Sequence, residues 1–137
     1  NGYFVVERRT VGELLDSKER DGQTLVSAKP TTSVRMALSA LSAHDVSQLP
    51  VLLAGECVGS VAEGELMAKV LEDPKLLDSP VEEVMEPPFP VVDGFLPVER
   101  LLPLLTRRNA AVLVRRGDAI EGIVTRYDLI RTLTAVK

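Results

Sequence analysis

Tryptophan is absent from the 137 residues, cysteine and histidine occur once each, and aromatic residues make up only 4% of the chain. With Cys57 alone, no internal disulfide can form and a thiolate zinc site lacks a second sulfur. Cys57 stands in an apolar stretch, where a free thiol is expected to fill core space. His44 ends a helix-like segment with no metal-ligand spacing around it, and no Ser-His-Asp or Cys-His set can be assembled. No catalytic residue and no metal ligand is therefore expected. An excess of cations is missing too: 16 Lys and Arg against 20 Asp and Glu give a net charge of −4, with both signs interspersed. Such a surface attracts neither nucleic acid nor anionic lipid. No apolar run nears the roughly 20 residues that cross a bilayer, and Asn1 to Thr10 lacks the charged-then-apolar order of a signal peptide. The expectation is no membrane partner and a cytoplasmic chain. There is also no Gly-rich phosphate loop and no lysine in such a loop.

What is present is ordinary globular composition, 45% hydrophobic and 26% charged, arranged in a repeat. Thr31-Thr32-Ser33 offers hydroxyl caps to Val34–His44, where Val34, Ala37, Leu38 and Leu41 recur at helical spacing. Leu49–Leu53 and Cys57–Val61 read as a hairpin about Ala54-Gly55-Glu56, and a helix over Glu63–Glu72 is stopped by Pro74. The order then returns. Pro90–Val92 is a short strand, Leu96–Thr106 a helix, Ala110–Arg115 and Ile120–Thr125 a hairpin about Gly117-Asp118, and Tyr127–Ala135 a helix. Pro103 inside the second of these helices should kink or shorten it. Gly59 to Leu66 and Gly122 to Leu129 align at an offset of 63 residues. Each copy is roughly 60 residues, a size at which surface dominates volume. The fold class is thus α+β: two tandem β-α-β-β-α repeats related by pseudo-twofold symmetry. The expected divisions are a linker at 1–9, a first repeat at 10–74, a connector at 75–80 within the proline-rich stretch Asp73–Phe89, and a second repeat at 81–137. The absent initiator methionine and the linker-like start suggest a domain upstream.

Gly122-Ile-Val-Thr-Arg-Tyr-Asp-Leu-Ile130, closing a repeated β-α-β-β-α unit, resembles the CBS domain, which occurs in tandem as the Bateman module. Thr10-Val-Gly-Glu-Leu-Leu15, Val46-Ser-Gln-Leu-Pro-Val51, Gly59–Leu66 and Val84-Met-Glu-Pro-Pro88 further resemble the C-terminal regulatory region of bacterial cystathionine β-synthase. That resemblance implies an upstream pyridoxal-phosphate catalytic domain as partner. No cofactor is implied for the chain itself, because none of its lysines sits in a context like that of a cofactor-bearing site.

A site follows from the repeat. Asp128 falls in the first turn of the last helix, where the helix dipole keeps a carboxylate ionised and its two oxygens can accept ribose hydroxyls. By resemblance, Asp128 grips the ribose and Thr125 assists from the strand end; alternatively the two only cap the helix. An adenine needs apolar walls and backbone polar groups, which Ile123, Val124, Tyr127, Ala110 and Ala111 can offer. The resemblance further implies a mouth shared with the first repeat, which brings in Val46, Ser47 and Gln48, with Gln48 equally able to serve its own loop. The first repeat has Ala62 for Thr125 and Glu65 for Asp128, so one competent site per chain is expected. Lys29, Arg107, Arg108, Arg115, Arg116 and Arg126 are the cations available to a phosphate, and most read as solvated surface; Glu82, Glu83 and Glu86 read as a solvated acidic face. The leading expectation is a non-catalytic homodimeric module that senses S-adenosylmethionine. AMP or ATP sensing in another host is a second reading. A ligand-free dimerisation scaffold, using helix faces such as Leu66, Val70, Leu129 and Leu133, is a third.

Overall fold

A computed structural model describes residues 9–20, 22, 24–106 and 109–134, apart from the side chain of Leu133. Residues 1–8 of the expected linker, Arg107, Arg108 and the expected helix end at Ala135 lie outside the described residues. Two compact units are formed, one from Val26–Phe89 and one joining Asn1–Leu25 to Pro90–Lys137.

In the unit from Val26–Phe89, the element order is α2 (Val34–Ala43), β1 (Gln48–Leu53), β2 (Glu56–Ala62) and α3 (Glu63–Glu72), following an earlier helix α1 (Val11–Arg20) that belongs to the other unit. The Ser33 hydroxyl caps α2 by accepting the Met36 N–H, and His44 is its C-cap. β1 and β2 pair antiparallel, with Ala54 and Gly55 both at positive φ in the two-residue turn that right-handed strand twist favours. Ala28 adds a single parallel bridge to Val51. Val34, Ala37, Leu41, Leu49, Val51, Val61, Leu66 and Val81 form the core. Cys57 is only half-buried and its Sγ lies 3.3 Å from the Gly59 carbonyl, so it edges the hairpin and fills no core.

The second unit holds α1, β3 (Val91–Asp93), β4 (Ala111–Arg116), β5 (Ala119–Thr125) and α4 (Arg126–Thr134), with strand order β3-β4-β5. β3 runs parallel to β4 and β5 antiparallel to it. Its core comprises Val11, Leu14, Leu15, Leu101, Leu105, Val112, Val114, Val124 and Leu129. The helix expected over Leu96–Thr106 does not form. A 3₁₀ turn at Val98–Leu101 stands in its place, followed by turns. Pro97 and Pro103 bracket that turn, and Pro103 has no N–H to continue a helix and crowds the turn before it.

Two segments do on one sheet what their counterparts do on the other. Leu15 of α1 covers Gly122 so closely that a Cβ there would overlap its side chain, and Met85 does the same to Gly59. Gly59 and Gly122 are 63 residues apart, as are the register shifts at Val51/Leu52 and Val114/Arg115. The helix α1 was not expected from the sequence, although its signal is there. The Glu13 carboxylate accepts the Thr10 N–H at 3.1 Å and the Thr10 hydroxyl accepts the Glu13 N–H at 3.2 Å, a reciprocal capping box. Val11, Leu14 and Leu15 then supply the buried face.

Candidate ligand-binding site

β5 ends at Thr125 and α4 starts at Arg126, whose N–H donates to the Ala110 carbonyl at 3.0 Å. That bond ties the helix start to the entry of β4, so Ala110, Thr125 and Asp128 converge on one end of the sheet. Asp128 is 7% exposed. Its Oδ2 accepts the Thr125 N–H at 2.8 Å and the Thr125 hydroxyl at 3.0 Å, while the Asp128 N–H donates to Thr125 Oγ1 at 3.2 Å. A third donor comes from α1: Lys18 Nζ lies 2.8 Å from the same Oδ2 and 2.7 Å from the Ile123 carbonyl oxygen. Lys18 is itself largely buried, at 14% exposure.

Three donors crowd Oδ2, and no described residue bonds Oδ1. The expectation that both oxygens are open to a diol therefore narrows to one open oxygen. The capping reading is met through Oδ2 alone, so it does not exclude the binding reading.

The remaining expected site residues divide by strand alternation. Ile123 and Thr125 are half-buried, whereas Val124 between them is fully buried in the core behind the sheet, and Ala111 is fully buried as well. Val124 and Ala111 can thus offer a ligand their backbone rather than a side-chain wall. Ala110 is half-buried and Tyr127 is exposed, with the Arg131 guanidinium 5.7 Å from the centre of its ring. Val46, Ser47 and Gln48 belong to the other compact unit, where Val46 packs against the core, Ser47 is exposed and Gln48 opens β1 opposite Ala62. Sequence reasoning overlooked Lys18, which stands four residues after Leu14 and three after Leu15, on the face that α1 buries.

The equivalent position in the first repeat is different chemistry on the same backbone. Glu63 N–H donates to the Ser47 carbonyl at 2.9 Å, matching the Arg126 bond. Ala62, however, caps α3 with no side-chain bond, and Glu65 is exposed. No buried carboxylate is built there.

The cations also sort. Arg116 bonds Asp16 Oδ1 at 2.7 Å and the Gly12 carbonyl at 2.9 Å, and its hydrogen bond to Asp16 pushes the guanidinium pKa further up. Lys29 and Arg126 are exposed, and Arg115 bonds the Asp118 carbonyl. Glu82 and Glu83 are exposed as expected, but Glu86 is not part of a solvated face. It is half-buried and 2.8 Å from Lys69 Nζ, because the chain after Val84 lies against α3. Leu66 and Leu129, expected on exposed helix faces, are buried in their own cores and Val70 is half-buried. The exposed apolar residues of α2, α3 and α4 are instead Met36, Met67, Leu71, Tyr127 and Ile130. Residues one position along a helix point about a quarter-turn away, which separates Leu66 from Met67. Among the described residues no helix is long and apolar enough to cross a membrane, and no cluster of His, Cys, Asp and Glu could hold a metal ion.

The family model described as CBS domain matches residues 22–72 and 81–135. Solved structures match the chain over most of its length. A protein with CBS domains from Burkholderia ambifaria MC40-6 is 23% identical with a TM-score of 0.80, covering 93% of this chain and 96% of its own. CBSX2, a CBS-pair protein of Arabidopsis thaliana solved in complex with AMP, is 28% identical with a TM-score of 0.72, covering 93% and 97%. The CBS domain pair of protein MJ0100, in complex with methylthioadenosine and S-adenosyl-L-methionine, is 23% identical with a TM-score of 0.75, covering 96% and 100%. With both repeats matched in sequence and the pair matched in fold, the chain belongs to the CBS domain family, as a tandem pair.

Proposed function

We propose that this CBS pair is a regulatory module that binds one adenosyl ligand per chain at Thr125 and Asp128, S-adenosylmethionine in the leading case. The observation that carries the proposal is the carboxylate of Asp128, nine-tenths buried, clamped through Oδ2 and left with Oδ1 for a ligand hydroxyl. Ile123, Val124, Ala110 and Ala111 would frame the adenine through backbone and side chains, and Tyr127 would stand at the rim. Support for an adenosyl ligand comes from the complexes of CBSX2 with AMP and of MJ0100 with methylthioadenosine and S-adenosylmethionine. The absence of a Gly-rich phosphate loop in the sequence favours the zwitterionic tail over a triphosphate.

In the same reading the host is a cystathionine β-synthase-like enzyme whose upstream domain carries pyridoxal phosphate, and the modules associate as homodimers. Binding would then regulate by favouring one arrangement of modules, and only to the extent that the ligand's affinities for the two arrangements differ. AMP or ATP sensing is the second reading, favoured by the AMP complex of CBSX2, which at 28% is the more similar of the two adenosyl complexes.

Calorimetric titration with S-adenosylmethionine, AMP and ATP side by side separates the readings. S-adenosylmethionine should bind most tightly, with a stoichiometry near one. Tighter AMP or ATP would replace the ligand, a stoichiometry of two would remove the asymmetry, and heat from none of the three would leave a scaffold without a ligand.

A further inference from the structure

We infer that Lys18 of α1 is a specificity-determining residue for the Asp128 site, neutralising its carboxylate so that the site does not select an adenosyl ligand by tail charge; this rests on the adenosyl reading above. The ammonium sits 2.8 Å from Asp128 Oδ2, and both partners are largely buried, at 14% and 7% exposure. Its second bond, 2.7 Å to the Ile123 carbonyl, fixes it against the strand that leads into the site. Lys18 does not need to touch the ligand. It cancels the charge that Asp128 would otherwise present, and it fills the oxygen nearest to it. What a ligand meets is a neutral pair with one acceptor, Oδ1.

An isolated Asp128 would repel a phosphate carried a few ångströms beyond the ribose and would attract a sulfonium. In a partly buried setting a unit charge at that range changes affinity by about three- to tenfold. Lys18 removes that discrimination, so ligands differing only in tail charge are read by their shape and by the cations around the tail. No other described cation contacts Asp128, and the first repeat has no such pair: its buried-side lysine, Lys69, serves Glu86 and the Val84 carbonyl.

The test uses the full chain with Lys18→Met, which keeps the length of the stem and drops the charge, and Lys18→Arg, which keeps the charge. Dissociation constants are measured for adenosine, AMP and S-adenosylmethionine, with circular dichroism confirming the fold. Relative to adenosine, Lys18→Met should weaken AMP by about three- to tenfold and tighten S-adenosylmethionine by a similar factor, the shifts shrinking as salt is raised. Lys18→Arg should restore the wild-type ratios. A purely structural lysine would move all three ligands together, and unchanged ratios in a folded Lys18→Met protein overturn the inference while leaving the adenosyl site standing. If wild type binds none of the three, the adenosyl reading and this inference fall together. If Lys18→Met does not fold, the ratios in Lys18→Arg and in wild type at low and high salt decide, because a neutral pair predicts no salt dependence of the AMP to adenosine ratio beyond that of the surface.

Discussion

The two repeats share a backbone plan and differ in what stands at the start of the closing helix. At α4 a threonine and an aspartate bond one another and are joined by a lysine from α1; at α3 an alanine and an exposed glutamate leave the same position empty of polar contacts. The polar pair at the helix start is thus separable from the fold. The sheet, its bulge, its glycine under a covering side chain and the bond from the helix start to the preceding strand recur in both copies, yet among the described residues only the second copy holds a buried carboxylate.

The largest expected effect tests that difference. Asp128→Ala removes one partner of a buried ion pair and leaves Lys18 with only the Ile123 carbonyl, so unfolding free energy should fall by about 3 kcal/mol, the lower end of the range because some water reaches the amine. The substitution would therefore destabilise the unliganded protein as well as abolish binding. Glu65→Ala, at an exposed site, should leave the denaturation midpoint unchanged. Denaturant titration of the two variants would break the comparison if both midpoints fell alike. Ligand binding is better probed with Asp128→Asn, which keeps the shape and a carbonyl toward Thr125.

A smaller contrast lies under the covering segments. A methyl at Gly122 must displace Leu15, a branched side chain fixed in the core, whereas one at Gly59 must displace Met85, which is unbranched and half-buried. Overpacking of this kind costs about 2 kcal/mol where the neighbour is rigid and about 1 kcal/mol where it can rotate aside. Gly122→Ala should therefore lower thermal stability more than Gly59→Ala, and equal losses would mean that α1 is as yielding as the Met85 segment.

The sequence showed some of this better than the rest, for reasons that differ by element. α2, α3 and both hairpins were legible because their apolar periods, hydroxyl caps and turn glycines agree with one another. The Leu96–Thr106 segment carries a helical apolar pattern that two prolines defeat, so periodicity alone misled. At the helix start, the Thr125 and Asp128 capping pair was legible from the repeat, since a hydroxyl at the strand end and a carboxylate three residues on can reach one another. Lys18 was not. It is 105 residues from the Ile123 carbonyl it binds, and nothing local to residue 18 indicates that α1 packs on the sheet of the second repeat rather than of the first. Likewise the burial of Glu86 depends on a lysine 17 residues earlier in a different element.

The smallest effect expected would sharpen the comparison by giving the first repeat part of what it lacks. Ala62 occupies the cap of α3 with φ −111° and ψ 134°, the extended conformation that capping residues adopt, and supplies no side-chain acceptor to the first turn. Thr125 in the same role accepts the Asp128 N–H at 3.2 Å. Ala62→Thr should let a hydroxyl accept the N–H of Glu65, and because Ala62 is half-buried and already extended, little strain opposes it. A cap of this type is worth about 0.5 to 1 kcal/mol. Ligand stoichiometry should stay at one, because Glu65 is a methylene too long to fold back as Asp128 does and no lysine waits to neutralise it. Adding Glu65→Asp would rebuild the threonine and aspartate pair without its ammonium. If that double variant bound a second adenosyl ligand with the charge preferences of wild type, the lysine would be dispensable and the difference between the repeats would reduce to two side chains.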